Sequence, residues 1–405
     1  MANTSKKNSV VELTNIYLDH CATTPVHPEV VEAMLPYFRD FYGNPSSIHS
    51  FGRNAKEALT IAREKVAKLI GADPSEIVFT SGGTEADNLA ILGVSSKFET
   101  KGNHIITSSI EHHAVLNTCR YLEQRGFAVT YLPVDGEGLV DPDDVARAIS
   151  DRTTLISIMH ANNEIGTIEP ISKIADIAKE REIIFHTDAV QTAGKIPINV
   201  DLLNVDLLSL SGHKIYGPKG VGALYIRNGT HIVPVLYGGK QEGGLRHGTE
   251  NVPAIVGLGK ACEIVMKGKF SLNDTLGRLR SRLTKRILSA IDDVYINGHA
   301  EKCLSHILSV SIEGIEAESI VRELDKKGIA VSAGSACTSD SIEISHVITA
   351  LGLPRHVAKG SIRFSLGQEN TEEEVDYAAN VLIEVVGKLR GMAELETSLN
   401  RGKCM

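Results

Sequence analysis

The sequence predicts an α/β protein: a large unit built on a mainly parallel sheet covered on both faces, then a smaller α/β unit. Two observations carry this expectation. From about residue 53 to 226, helix-period stretches alternate with short runs rich in leucine and β-branched residues, the pattern of strands joined by helical crossovers. Near Pro253 the rhythm changes to long helical stretches, and a chain of 405 residues exceeds the roughly 250–300 at which one hydrophobic core stops growing. The expected divisions are a polar segment 1–15, a large unit 16–253 whose first residues can pack with the smaller one, a small unit 254–390 with a long loop at about 333–343, and a polar tail 391–405.

Within the large unit, residues 54–70 carry apolar side chains at 58, 61, 62, 66, 69 and 70, a helical period, and Gly71 supplies a stop. Strands are expected at 76–80, 104–108, 128–132, 154–160, 183–187, 206–210 and 222–226, and sheets of this kind bind ligands at the carboxyl ends of their strands. The smaller unit reads as helix over 254–292, strand at 305–312, helix at 317–327, strands at 329–332 and 361–365, and a closing helix at 371–390. Glu372, Glu373 and Glu374 suit the positive amino end of that helix.

Composition narrows the function classes. Hydrophobic residues at 42% and charged residues at 23% are ordinary for a globular protein. The formal charge of −8 argues against nucleic acid as a direct partner, since phosphate backbones need a basic face. No apolar run reaches the ~18–20 residues of a membrane span, and the first fifteen residues contain no signal-like apolar core. The cysteines at 21, 119, 262, 303, 337 and 404 are scattered without metal-ligand spacing. The expectation is a cytoplasmic protein with a small substrate and no metal.

Three segments carry candidate chemistry. Lys214, in Ser211-Gly-His-Lys214, follows the expected strand 206–210, where a lysine is placed to form an imine with its pKa depressed, or simply to sit in a surface turn. Asp188 leaves the strand 183–187 with Gln191 shortly after it. A carboxylate there can keep a pyridine nitrogen protonated, and it can equally cap the next segment. Thr80-Ser-Gly-Gly-Thr84 links strand to helix, a turn that lets amides approach a phosphate but lacks the Lys-Ser/Thr of a nucleotide loop.

These segments do not stand alone. Tyr17-Leu-Asp-His-Cys-Ala-Thr-Thr-Pro25, Phe79-Thr-Ser-Gly-Gly-Thr-Glu85, Glu111-His-His-Ala-Val115, His160-Ala-Asn-Asn-Glu-Ile-Gly166, His186-Thr-Asp-Ala-Val-Gln191, Ser211 to Gly220, Gly248-Thr-Glu-Asn251, Gly334-Ser-Ala-Cys-Thr-Ser339 and Ile362-Arg-Phe-Ser-Leu-Gly367 follow one another along the chain. In type and order they resemble the NifS/IscS-type cysteine desulfurases, over about residues 16–390. The resemblance implies fold-type I architecture, pyridoxal 5'-phosphate as cofactor, L-cysteine as substrate, and a homodimer. It further implies that Lys214 anchors the cofactor, that Asp188 and Gln191 meet its ring, and that His112 stacks on the ring and handles protons. Thr84, Ser211 and His213 would bind the phosphate, with Thr249 reaching in from the other subunit, while Asn163 and Arg363 would fix the substrate carboxylate.

Cys337 sits among small residues, Ser332-Ala-Gly-Ser-Ala-Cys-Thr-Ser339, that leave a thiol unshielded. The resemblance makes it the residue that takes sulfur as a persulfide and delivers it to an acceptor protein, such as an iron–sulfur scaffold or a tRNA-thiolation factor. A selenocysteine lyase would share the scaffold, and a sulfur-transfer adaptor with weak turnover is the alternative of another class. Cys21 reads as small-residue packing, and His113 carries no assigned role. Lys240 stands where that family commonly has glycine and Gly243 where it commonly has arginine, which bears on the pocket rim.

Overall fold

The computed structural model describes residues 15–268, 272–333 and 344–402, without the side chains of 272, 273 and 393–402. The sheet of the large unit is seven-stranded. In chain order its strands are β2 (Ile77–Thr80), β3 (His104–Ser108), β4 (Ala128–Leu132), β5 (Thr153–Ser157), β6 (Ile184–Asp188), β7 (Leu207–Ser211) and β8 (Gly222–Ile226), and across the sheet they run β2-β8-β7-β6-β5-β3-β4. Only β8 is antiparallel to its neighbours. Six strands therefore point their carboxyl ends to one edge, where the motif-bearing turns emerge. β2, β3, β5, β7 and β8 are buried along their length, as a sheet with helices on both faces demands.

Helix Ser50–Ile70 stops at Gly71, whose φ of 71° is left-handed. Helices Ser50–Ile70 and Ile171–Glu180 pack on one face of the sheet and Gly83–Phe98 and His113–Glu123 on the other. Helix Val252–Met266, expected in the smaller unit, belongs instead to the first core: Ala254, Ile255 and Leu258 pack with Ala55, Ala58 and Ala62. Gly259 makes this close crossing possible, since a Cβ there would lie 2.7 Å from the Ala62 Cα.

The second core gathers helices Leu272–Ala290, Ala317–Asp325 and Glu372–Gly402 over a three-stranded antiparallel sheet of β9 (Val294–Asn297), β10 (Ile307–Ile312) and β12 (Ser361–Ser365). The closing helix continues through 391–402, residues expected as a tail, because nothing in that polar stretch breaks a helix. The short β1 (Ile16–Tyr17) pairs in parallel with β11 (Ile329–Ala330), and Ile16 and Leu18 lie in this second core. Residues 16–18 thus belong to the smaller unit although they precede the larger one in sequence.

Candidate active site

The carboxyl edge of the large sheet opens into a cavity of ≈ 430 Å³. Its walls include Thr84, His112, Asn163, Asp188, Gln191, Ser211, His213, Lys214 and Arg363, drawn together from turns far apart in sequence. Lys214 ends the turn Gly212–Lys214 after β7, and its Nζ donates to the carbonyl oxygens of Cys21 (2.5 Å) and Ala22 (2.8 Å). Burial lowers its pKa, the direction an amine needs to act as a nucleophile.

Asp188 is the last residue of β6, and its Oδ1 accepts the Val190 N–H at 2.9 Å. Burial pushes its carboxyl up to about 6. Asp87, almost wholly buried beside it with one oxygen unpartnered, is pushed up as well. Among the described residues neither carboxyl has a lysine or arginine at ion-pair distance. A protonated ring nitrogen is the kind of partner that offsets this cost. Gln191 donates through Nε2 to the Cys21 carbonyl (3.1 Å) and accepts from Lys195 Nζ (3.2 Å), so it is oriented before any ligand binds.

At the other side, helix Gly83–Phe98 begins without a side-chain cap after Gly82, whose φ of 154° few L-residues adopt. A Cβ on Gly83 would stand 2.6 Å from the Val190 Cγ2. Uncapped N–H groups of a long helix, with Thr84, Ser211 and the ring of His213 beside them, form an anion cradle. His213 Nδ1 is 3.1 Å from the Thr23 hydroxyl.

His112 precedes helix His113–Glu123 and caps it, its Nδ1 accepting the Ala114 N–H at 3.1 Å. The proton of the neutral ring therefore resides on Nε2. Burial, then the nearby Lys214, His113 and His346, lower its pKa to about 4, so the ring is neutral near pH 7. Arg363, in the middle of β12, is 3% exposed. It donates to the Asn163 carbonyl (2.9 Å) and to Asp19 Oδ1 (2.7 Å), leaving Nε unpartnered.

Thr249 is exposed and lies outside the walls of this chain's cavity. Neither Lys240 nor Gly243 lines it, and Gly243 has a φ of 65°, where glycine is favoured over arginine. Cys21 is buried, with Sγ 3.6 Å from His306 Nε2. Its backbone carbonyl, not its thiol, holds the site together. Cys337 and Cys404 lie outside the described residues. Sequence reasoning missed Asp19, Asp87, Glu164, Lys195 and His346. Asp19 and Glu164 stood inside quoted motifs and Lys195 lies four residues beyond Gln191, but only the fold brings Asp87, Glu164 and His346 to the cavity wall and sets Asp19 against Arg363 and Lys195 against Gln191 behind it.

The residues present fit pyridoxal phosphate. A buried carboxyl in want of a cation, an anion cradle that a Cβ would fill, and a lysine of lowered pKa share one cavity. The comparisons agree. The aminotransferase class-V family matches residues 16–378. A "Cysteine desulfurase IscS" of Dictyoglomus turgidum is 55% identical over 375 residues, 93% of this chain and 95% of that protein. The protein of the same name from Methanosarcina thermophila is 55% identical over 97% of each chain. Among solved structures, a "NIFS-LIKE PROTEIN" superposes with a TM-score of 0.87 at 43% identity, covering 93% of this chain and all of that one. One titled "SspA in complex with cysteine" gives 0.78 at 43% identity over 86% and 98% of the two chains. With its fold-type I architecture, this chain belongs to the class-V aminotransferase family, among its pyridoxal-phosphate-dependent cysteine desulfurases.

Proposed function

We propose that this cysteine desulfurase converts L-cysteine to L-alanine by passing the sulfur to its own Cys337 as a persulfide, for onward delivery to an acceptor protein. The observation that carries the reading is the single cavity that unites Lys214, Asp188 and His112 with Asn163 and Arg363. When bound, pyridoxal phosphate supplies an electron sink for the substrate's α-carbon. Lys214 anchors it, Asp188 holds its ring nitrogen protonated, Gln191 meets the ring oxygen, and Thr84, Ser211 and His213 hold the phosphate.

Arg363 and Asn163 fix the substrate carboxylate, for which a guanidinium fork is suited. His112, on the cavity wall, would carry protons through Nε2, the nitrogen left free by its capping bond. Both flanks of the segment containing Cys337 are tied to the cavity. Ser332 exchanges backbone hydrogen bonds with Arg363 (3.2 and 2.7 Å), and His346 lines the cavity wall.

The working unit is a homodimer in which Thr249 completes the neighbouring phosphate site. Supporting this, Phe38, Tyr42, Ile48 and Tyr237 are exposed, Ile48 at 92% and Tyr237 at 85%, an apolar surface suited to a second copy. No helix among the described residues is long and apolar enough to cross a membrane, and the reaction belongs in the cytoplasm, where thiols stay reduced.

The test is to incubate holoenzyme with L-cysteine and a reductant and measure alanine and sulfide together. Wild type releases both equally. Cys337→Ala keeps the cofactor absorbance and releases neither, and normal turnover by that variant refutes the assignment. Sedimentation of the holoenzyme as a monomer refutes the dimer.

A further inference from the structure

Beside the catalytic cavity lies a smaller one of ≈ 20 Å³, room for about one guest of the size of a water molecule. Lys214 lines both. Its wall also carries the nitrogen-bearing side chains of His20, Lys195 and His306 and the hydroxyl-bearing Thr24, Tyr216 and Ser305, and Val265 and Leu276 contribute apolar wall.

The charge around this space is unbalanced. Lys195 makes one hydrogen bond, to the neutral Gln191 Oε1 at 3.2 Å, and among the described residues no carboxylate lies within ion-pair distance of it. After burial, the neighbours that act on it are the Cys21 thiol, which favours the ammonium, and two further cations, Lys214 and Arg363, which oppose it. Arg363 is already committed to Asp19. His20 is 4% exposed and its Nδ1 has no partner, an orphaned polar atom on the wall of the same cavity. Buried ammonium groups are ordinarily paired, and an orphaned ring nitrogen is costly. A water molecule would satisfy the hydrogen bonds yet leave the charge uncompensated, whereas a small anion addresses both.

We propose that this cavity binds one small monovalent anion, a halide or hydrosulfide, between the Lys195 ammonium and the ring of His20. The guest accepts from Lys195. A halide leaves His20 to donate from Nδ1, while hydrosulfide can also direct its own S–H to that nitrogen. Burial lowers Lys195 to about 8 and His20 to about 4, so Lys195 is the standing charge near pH 7. Because Lys195 holds Gln191 and Lys214 shares the wall, an occupied site alters the field felt at the catalytic lysine.

The experiment is anomalous diffraction from crystals of the holoenzyme soaked in sodium bromide. The expected result is a bromide peak in the cavity beside Lys195, absent from Lys195→Met. A peak that sodium hydrosulfide diminishes puts hydrosulfide in the accepted class, and an undiminished one removes it. Water density without anomalous signal overturns the proposal on the wild-type protein alone, whatever the variant does. In solution, bromide should change the cofactor absorbance saturably, with the half-saturating concentration raised at least about tenfold in Lys195→Gln. Identical titrations of wild type and variant overturn it as well.

Discussion

Asp19 accepts from Arg363 Nη2 at 2.7 Å, joining the N-terminal segment to the middle of β12. The guanidinium is further held by the Asn163 carbonyl at 2.9 Å. Its plane is thus set before a substrate carboxylate arrives, which reduces the ordering cost of binding.

Asp19→Asn keeps the shape and removes the charge from this clamp. A hydrogen bond to a charged group contributes about 1.5–3 kcal/mol, so KM for cysteine should rise roughly ten- to a hundredfold with a smaller change in kcat. Steady-state alanine formation measures both. An unaltered KM would show that the pair does not position Arg363.

His112 caps a helix and, in the function proposed above, also handles protons. Asparagine is a good N-cap, so His112→Asn should leave the melting temperature near wild type and lower kcat by about 10²–10⁴-fold. Thermal melts and alanine assays on the cofactor-loaded variant check the two duties together. Full activity would dismiss the imidazole as the proton carrier.

Gly83→Ala should push Val190 away, because the new Cβ meets its Cγ2 at 2.6 Å. Overpacking of this kind costs about 1–3 kcal/mol. Since Val190 also donates to Asp188, the expected consequence is faster loss of pyridoxal phosphate, read by absorbance after dilution. Retention like wild type would mean that the turn yields freely.

Glu169 does not line the cofactor cavity, and burial pushes its carboxyl up to about 8. A folded-state pKa above the unfolded value means the native protein holds the extra proton. This contribution to stability is present below about 4.5 and is lost as pH rises toward about 8. Glu169→Gln keeps an acceptor for the Val140 N–H, bonded at 2.9 Å in wild type, and cannot ionise. Its melting temperature relative to wild type should therefore climb between pH 5.5 and about 8.5. A difference independent of pH would contradict it.

The sheet was legible because its strands are short apolar runs bounded by turn residues: 104–108, 128–132 and 222–226 coincide with β3, β4 and β8. The bounds of β5 and β6 differ by a few residues, since apolar residues such as Ile158 and Met159 continue past the last ladder bond. Ordered motifs made Lys214, Asp188 and Arg363 legible as one site. What remained hidden depends on distance in sequence. Helix Val252–Met266 is apolar on much of its surface, and its composition does not say which core it joins. The partnership of Asp19 with Arg363 spans 344 positions, and no local pattern encodes it.

That span has a consequence for how the enzyme comes into being on the ribosome. The residues numbered 16 to 22 leave the exit tunnel long before their partners at Ile329, Ala330, Arg363 and Ser365. The large sheet can be complete while Lys214 still lacks the carbonyls of Cys21 and Ala22 in their final place. Long-range closure of this sort is slow and comes late. A truncated or stalled chain is therefore left without a finished site for handling reactive sulfur.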